Sequence, residues 1–135
     1  MADGYSSDAW VAAHTGLINK ILDDTGGEPK IKLYDNSGSP VKLAEFVIDD
    51  VTSAVNGTTG EITITIATQE DAALAGGTAA YIDFCDGAGA VHCRMSCQQG
   101  TEAVAGKCVM NTLSIISGAP VDILSCSIPP GPVYS

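Results

Sequence analysis

The sequence predicts a mainly β fold: a single antiparallel β-sandwich or barrel of about seven to eight short strands, preceded by one N-terminal α-helix. Three observations predict it. Apolar and polar residues alternate with period two in short runs after residue 27, turn-forming Gly, Asn, Asp and Pro clusters punctuate those runs, and only the N-terminal segment carries helical periodicity. On this reading, residues 1–27 form an arm and amphipathic helix, 28–128 the β-sandwich domain, and 129–135 a proline-rich C-terminal tail.

The helix comes first. Ser6 or Ser7 can cap it, Asp8 puts negative charge in its first turn, and Trp10, Ala13, Leu17 and Ile21 recur on one face beside His14, Ile18 and Leu22. Gly26-Gly27 is expected to stop it. His14 at the edge of that stripe reads as a packed residue rather than a ligand.

The strands follow in order. Lys30 to Asp35 alternates and is closed by the turn cluster Asn36 to Pro40; Lys42 to Asp49 places Ala44, Phe46 and Ile48 on one face. Glu61 to Ile66 alternates strictly, with its isoleucines expected inward, and Gln69 to Leu74 has the length for one helical turn. Thr78 to Cys85 and Ala90 to Cys97 form a hairpin around Asp86-Gly87-Ala88-Gly89. Val109, Asn111, Leu113 and Ile115 are expected to share a face of one strand, and Leu124, Cys126 and Ile128 a face of the last. Pro129-Pro130-Gly131-Pro132 ends regular structure, because proline fixes φ and removes a donor.

Charge narrows the partners. With 16 acidic against 6 basic side chains and a net charge of −10, the chain lacks the Lys and Arg density that phosphate neutralisation requires. Neither nucleic acid nor an anionic membrane surface is expected as a partner. No apolar run is long enough to span a bilayer, and Met1 to Gly16 lacks a basic segment followed by an apolar one, so a soluble, unprocessed chain is expected. The 135 residues suit one core.

Catalytic patterns are missing from the sequence. His14 and His92 stand in no nucleophile motif, and there is no Gly-x-Ser-x-Gly, phosphate-binding glycine loop or His-Glu-x-x-His. The pairs Asp23-Asp24 and Asp49-Asp50 have no Ca²⁺-loop spacing, and Asp35, Asp83 and Asp86 read as turn or surface residues. The five cysteines, Cys85, Cys93, Cys97, Cys108 and Cys126, are odd in number and point to a reducing compartment. His92, Cys93, Cys97 and Cys108 lack the paired spacing of a zinc site; period two instead sets Val91, Cys93, Met95 and Cys97 on a core face and His92 with Arg94 on the other. Neither an enzymatic activity nor a cofactor is expected.

The order of segments carries a resemblance. Ile31-Lys32-Leu33-Tyr34-Asp35-Asn36-Ser37-Gly38, then Gly60-Glu61-Ile62-Thr63-Ile64, then Ala80-Tyr81-Ile82-Asp83-Phe84-Cys85-Asp86-Gly87, then Asn111 to Val121 with its Leu-x-Ile-x-x-Gly-x-Pro-Val pattern, resembles small structural proteins of tailed bacteriophages. Asn36-Ser37 departs from the tight Asp-Gly turn of that pattern, and Cys85 stands where an aromatic is usual.

The resemblance implies a virion component made in the host cytoplasm: a head-decoration (cement) protein on the capsid exterior, bound to the major capsid protein, often as a homotrimer. Because aromatic side chains anchor interfaces, Trp10, Leu17 and Ile21 on the helix and Tyr134 in the tail are the candidate contacts. A neck, tail or head-fibre component is the alternative within the virion. A carbohydrate-binding β-sandwich is an alternative of another class, with Tyr34, Tyr81 and Tyr134 as the residues available to stack on sugar rings.

Overall fold

The computed structural model describes residues 4–131. Along the chain run α1 (Ser7–Ile21), β1 (Lys30–Asp35), β2 (Lys42–Ile48), β3 (Ala54–Val55), β4 (Ile62–Thr63), β5 (Ile66–Thr68), β6 (Gly77–Cys85), β7 (Val91–Gln99), β8 (Cys108–Met110), β9 (Ser114–Ile115) and β10 (Ile123–Ile128). The protein is mainly β with one leading helix, as its periodicities predict. The finer expectation needs correcting: the ten strands among the described residues belong to one hydrogen-bonded sheet, in the order β3-β4-β10-β8-β7-β6-β1-β2-β5, with β9 on β6.

Ser6 caps α1, its hydroxyl accepting from the Ala9 N–H at 3.1 Å, and Asp8 lies in the first turn. The helix ends at Ile21 with Leu22 as its C-cap, earlier than the Gly26-Gly27 stop expected from sequence. The loop so released receives the tip of the β6–β7 hairpin: Gly87 N–H donates to Asp23 O at 2.7 Å, and a Cβ at Gly87 would collide with the Gly27 carbonyl. Ile18 and Ile21 enter the same core as the sheet, so the helix is part of the β domain's packing.

Strand pairing stacks that core in rows. Across β2, β1, β6 and β7 the partners are Phe46–Ile31–Phe84–Cys93 and Ala44–Leu33–Ile82–Met95, all buried except the half-buried Cys93. Val91 does not join them. A register shift at Phe84/Cys85 breaks the period, leaving Val91 exposed at the strand's entrance. The same effect in β10, a shift between Ile123 and Ser125, turns Leu124 outward while Ile123, Cys126 and Ile128 are buried.

Two stretches expected as single strands are each divided because the chain changes partner within them. Ile62–Thr63 pairs β3 and β10 while Ile66–Thr68 pairs β2, so the two ends of the sheet are joined through Ile64-Thr65 and the sheet must curl. At the crossing, Thr65 N–H donates to the Ser53 hydroxyl at 2.9 Å and Thr65 O accepts from Asp49 N–H at 2.8 Å. Likewise Met110 leaves β8 and Ser114 enters β9 beside β6, with the Thr112 hydroxyl accepting from Ser114 N–H at 3.1 Å.

The expected helical turn at Gln69 to Leu74 is absent. That segment is instead a splice: the Gln69 amide donates to Ile123 O at 3.2 Å and accepts from Ile123 N–H at 3.1 Å, standing in for a strand residue against β10. Glu70 and Val121 add a β-bridge. A further correction concerns strand direction. β7 and β8 are parallel, because residues 100–107 carry the chain back through Gly106 N–H to Ser127 O at 3.0 Å before β8 begins.

Candidate functional site

The candidate contacts on α1 fall into different environments. Ile21 has no exposed surface and is wholly committed to the core, so it is not an interface residue; it faces the sheet because the apolar stripe is narrow and centred on His14, Ile18 and Ile21. Leu17 is half-buried and packs against that core from its rim. Tyr134 lies outside the described residues.

Trp10 is half-buried and is the centre of an aromatic cluster. The Tyr5 ring lies 4.7 Å from it at 36°, and the His14 ring meets it edge-on at 5.2 Å and 67°. Gly131, arriving from the other end of the chain, lies so close that a Cβ there would overlap the indole. Gly60 fits against the helix backbone in the same way: at φ +84° its added Cβ would sit 3.0 Å from the Trp10 carbonyl carbon. Its carbonyl accepts a 2.6 Å hydrogen bond from the buried His14 Nδ1, which must therefore carry the proton. His14 thus fixes the helix to the β3–β4 turn, as a packed residue. Pro129 lies against Gly106, so the described start of the tail, residues 129–131, is held at both sides.

A second constellation was not anticipated from sequence. On the outer face of the sheet, Glu45, Lys32, Asp83 and Arg94 are successive cross-strand partners, a row of alternating charge. Arg94 Nε and Nη2 donate to Asp83 at 2.7 and 3.1 Å, and the guanidinium lies 4.2 Å from the Tyr81 ring centroid. Tyr34 stacks on Tyr81 at 5.4 Å and 22°. Asp83 is therefore buried in mid-strand, contrary to its reading as a turn or surface residue; Arg94 and the neighbouring strands cover it. Period two in the four strands β2, β1, β6 and β7 was the available signal, since it places all these residues on one face.

The other carboxylates act on the backbone. Asp35 accepts from Val41 N–H and from the Ser37 amide and hydroxyl, and these bonds lower its pKa; Asp49 accepts from Val51 and Thr52 N–H with the same result. Asp86 holds the β6–β7 turn through Ala88 and Ala90 N–H and binds His92 Nε2 at 2.8 Å, and the His92 contact is the main reason its pKa falls. His92 is thereby a turn brace. A cleft of about 450 Å³ runs along the Gln69–Ile123 splice, with Thr63, Thr65, Ser125 and Ser127 on its walls and Glu61 as its one acidic lining residue. No nucleophile–base pair lines it.

Comparison with protein-family models, with curated proteins and with solved structures gave no match.

Proposed function

We propose that this chain is a virion structural protein of the tailed-bacteriophage type, a head-decoration (cement) protein that binds the major capsid protein from outside and stabilises the capsid as a trimer. The reading starts from the turn and strand segments that resemble such proteins. One geometric observation supports it: segments near both limits of the described residues converge on Trp10, where the exposed Tyr5 ring, the indole and the Gly131 backbone form one aromatic end of the module. A cement protein works by contact alone. An aromatic anchor supplies the energy of each contact, and several linked copies on adjoining capsid subunits multiply it. We take the curled sheet, drawn together at the Gln69 splice, as the barrel of that module.

The alternatives rest on less. A neck, tail or head-fibre component would use the same aromatic end and differs only in its place in the particle. A carbohydrate module would need an open aromatic face, and the Tyr81 ring already carries Tyr34 and Arg94.

The test mixes the purified chain with capsids that lack a decoration protein and measures co-sedimentation, with native mass spectrometry of the free chain. Trimers and capsid-bound protein are expected, with occupancy reduced at least about tenfold by Tyr5→Ala or Trp10→Ala, the loss of one aromatic hot spot. Tyr5 is 55% exposed, so its variant keeps the fold even where Trp10→Ala disturbs it. No co-sedimentation, or wild-type occupancy for the Tyr5→Ala protein, overturns the proposal.

A further inference from the structure

Three of the five cysteines form a row across neighbouring strands. Cys97 of β7 is the direct partner of Cys108 of β8, and Cys108 is the direct partner of Cys126 of β10. Direct partners place their side chains on the same face, and adjacent strands lie about 4.8 Å apart, inside the roughly 4.4–6.8 Å Cα separation that a disulfide spans. Cys97 and Cys126 are two strands apart and out of reach. Cys93 is opposite Phe84 and Cys85 opposite Lys30, so neither has a cysteine partner.

We propose that Cys97 and Cys108 are a dithiol pair that a small-molecule disulfide, of the oxidised-glutathione class, converts to a disulfide between β7 and β8.

Access and ionisation divide the roles. Cys97 is half-buried, whereas Cys108 has no exposed surface and Cys126 almost none. With the Cys108 thiol as its hydrogen-bond partner, the Cys97 thiol is held below its ordinary pKa; Cys108 is raised by the same contact and by burial, and burial pushes Cys126 up to about 12. Cys97 is therefore the attacking thiolate and Cys108 the resolving thiol. The Cys97 thiolate attacks one sulfur of RSSR, forming Cys97–S–S–R and releasing RS⁻. Cys108 then gives up its proton to RS⁻ and attacks the Cys97 sulfur, expelling the second RS⁻, which takes up the proton Cys97 first lost. Two protein thiols are oxidised and one RSSR is reduced to two RSH. Metal binding by the row is not the reading, because among the described residues no group of three or more His, Cys, Asp or Glu is arranged to hold an ion.

The position has a consequence for the fold. β7 and β8 are the parallel pair, with only residues 100–107 between them. A bond from Cys97 to Cys108 closes that loop and fixes the ladder. In a reducing cytosol the pair stays open; on leaving it the pair closes.

The test treats the native full chain with oxidised glutathione, denatures it and alkylates free thiols. Three of the five thiols are expected to alkylate, with the mass of two hydrogens lost. Trypsin cuts after Arg94 and Lys107, and cleavage before Asp122 separates Cys108 from Cys126, so the linked peptides identify the bond. Cys126→Ser should leave the bond intact, Cys97→Ser should leave every remaining thiol free, and Cys108→Ser should stop at a glutathione adduct on Cys97. Closure should raise Tm by about 5–10 °C, reversed by reductant. Five alkylated thiols after treatment, or a bond mapped to Cys93 or Cys126, overturns the proposal. The wild-type and Cys126→Ser maps decide it even where Cys108→Ser does not fold.

Discussion

The half of the sheet built from β1, β2, β6 and β7 and the half built from β3, β4, β8, β9 and β10 hold together by different means. In the first, strands of 6 to 9 residues pair residue to residue, and each ladder buries one face in the rows Phe46–Ile31–Phe84–Cys93 and Ala44–Leu33–Ile82–Met95. In the second, four of the five strands have 2 or 3 residues, and side chains complete what the backbone ladder leaves open. Gln69 joins Ile123, Ser53 joins Thr65, Thr112 joins Ser114. Backbone pairing suffices where the chain stays with one partner. Where it changes partner, a polar side chain takes up the backbone groups that the ladder leaves open.

The comparison breaks hardest at Phe84. This ring has no exposed surface and sits between Ile31 and Cys93, so Phe84→Ala should cost about 3–5 kcal/mol and unfold both halves together, seen as one cooperative denaturant transition at a lower midpoint. Gln69→Leu should cost less, about 1–3 kcal/mol, because it leaves the N–H and C=O of Ile123 without their side-chain partner. Its signature is regional. Amide exchange should accelerate at Val121 and Ile123 and stay slow at Ile31, Leu33 and Ile82; uniform acceleration would mean that the second half does not open locally ahead of global unfolding.

The same contrast decides how much was legible in the sequence. Alternation in Lys30 to Asp35, Lys42 to Asp49 and Thr78 to Cys85 located β1, β2 and β6, because a strand with one face in the core must repeat every two residues. It failed where the partner changes. Glu61 to Ile66 alternates without interruption, yet the chain crosses from β10 to β2 within it, and the crossing at Ile64-Thr65 is held by Ser53, a dozen residues away. Bulges hid Val91 and Leu124 for the same reason: one displaced residue inverts the pattern without altering composition. At the candidate site, Trp10 was legible as the single large aromatic of the helix. Its partners were not, since Gly60 and Gly131 matter there through the side chains they lack.

His14 ties the helix to one half by a hydrogen bond and sharpens the comparison further. It binds Gly60 O at the turn between β3 and β4, the less regular half. His14→Ala should cost roughly 1–2 kcal/mol, a buried hydrogen bond and some packing, read as a lower urea midpoint. The change should appear as faster exchange in α1 and near Gly60 while the β1–β6 ladder keeps its protection. Equal loss of protection in β1 would show that the helix is a fixed part of the regular half.

The smallest expected effect is on acid stability, and it belongs to the turns that serve both halves. Asp35, Asp49 and Asp86 accept backbone or His92 hydrogen bonds only when folded, and Glu45 is held down chiefly by Lys42. Their folded pKa values lie below the unfolded ones, so the unfolded chain binds more protons as pH falls. The stabilisation is complete above the unfolded carboxylate range near 4 and disappears as pH drops through the folded values. Tm should therefore be level between about pH 7 and 5 and decline below about 4. Asp86→Asn keeps an oxygen for the Ala88 and Ala90 amides but no longer titrates, so its Tm should fall less steeply over that acid range than wild type. An unchanged slope would place the acid response in Asp35, Asp49 and Glu45, on β2 and the β1–β2 and β2–β3 connections, rather than in the β6–β7 hairpin that rests on the helix loop.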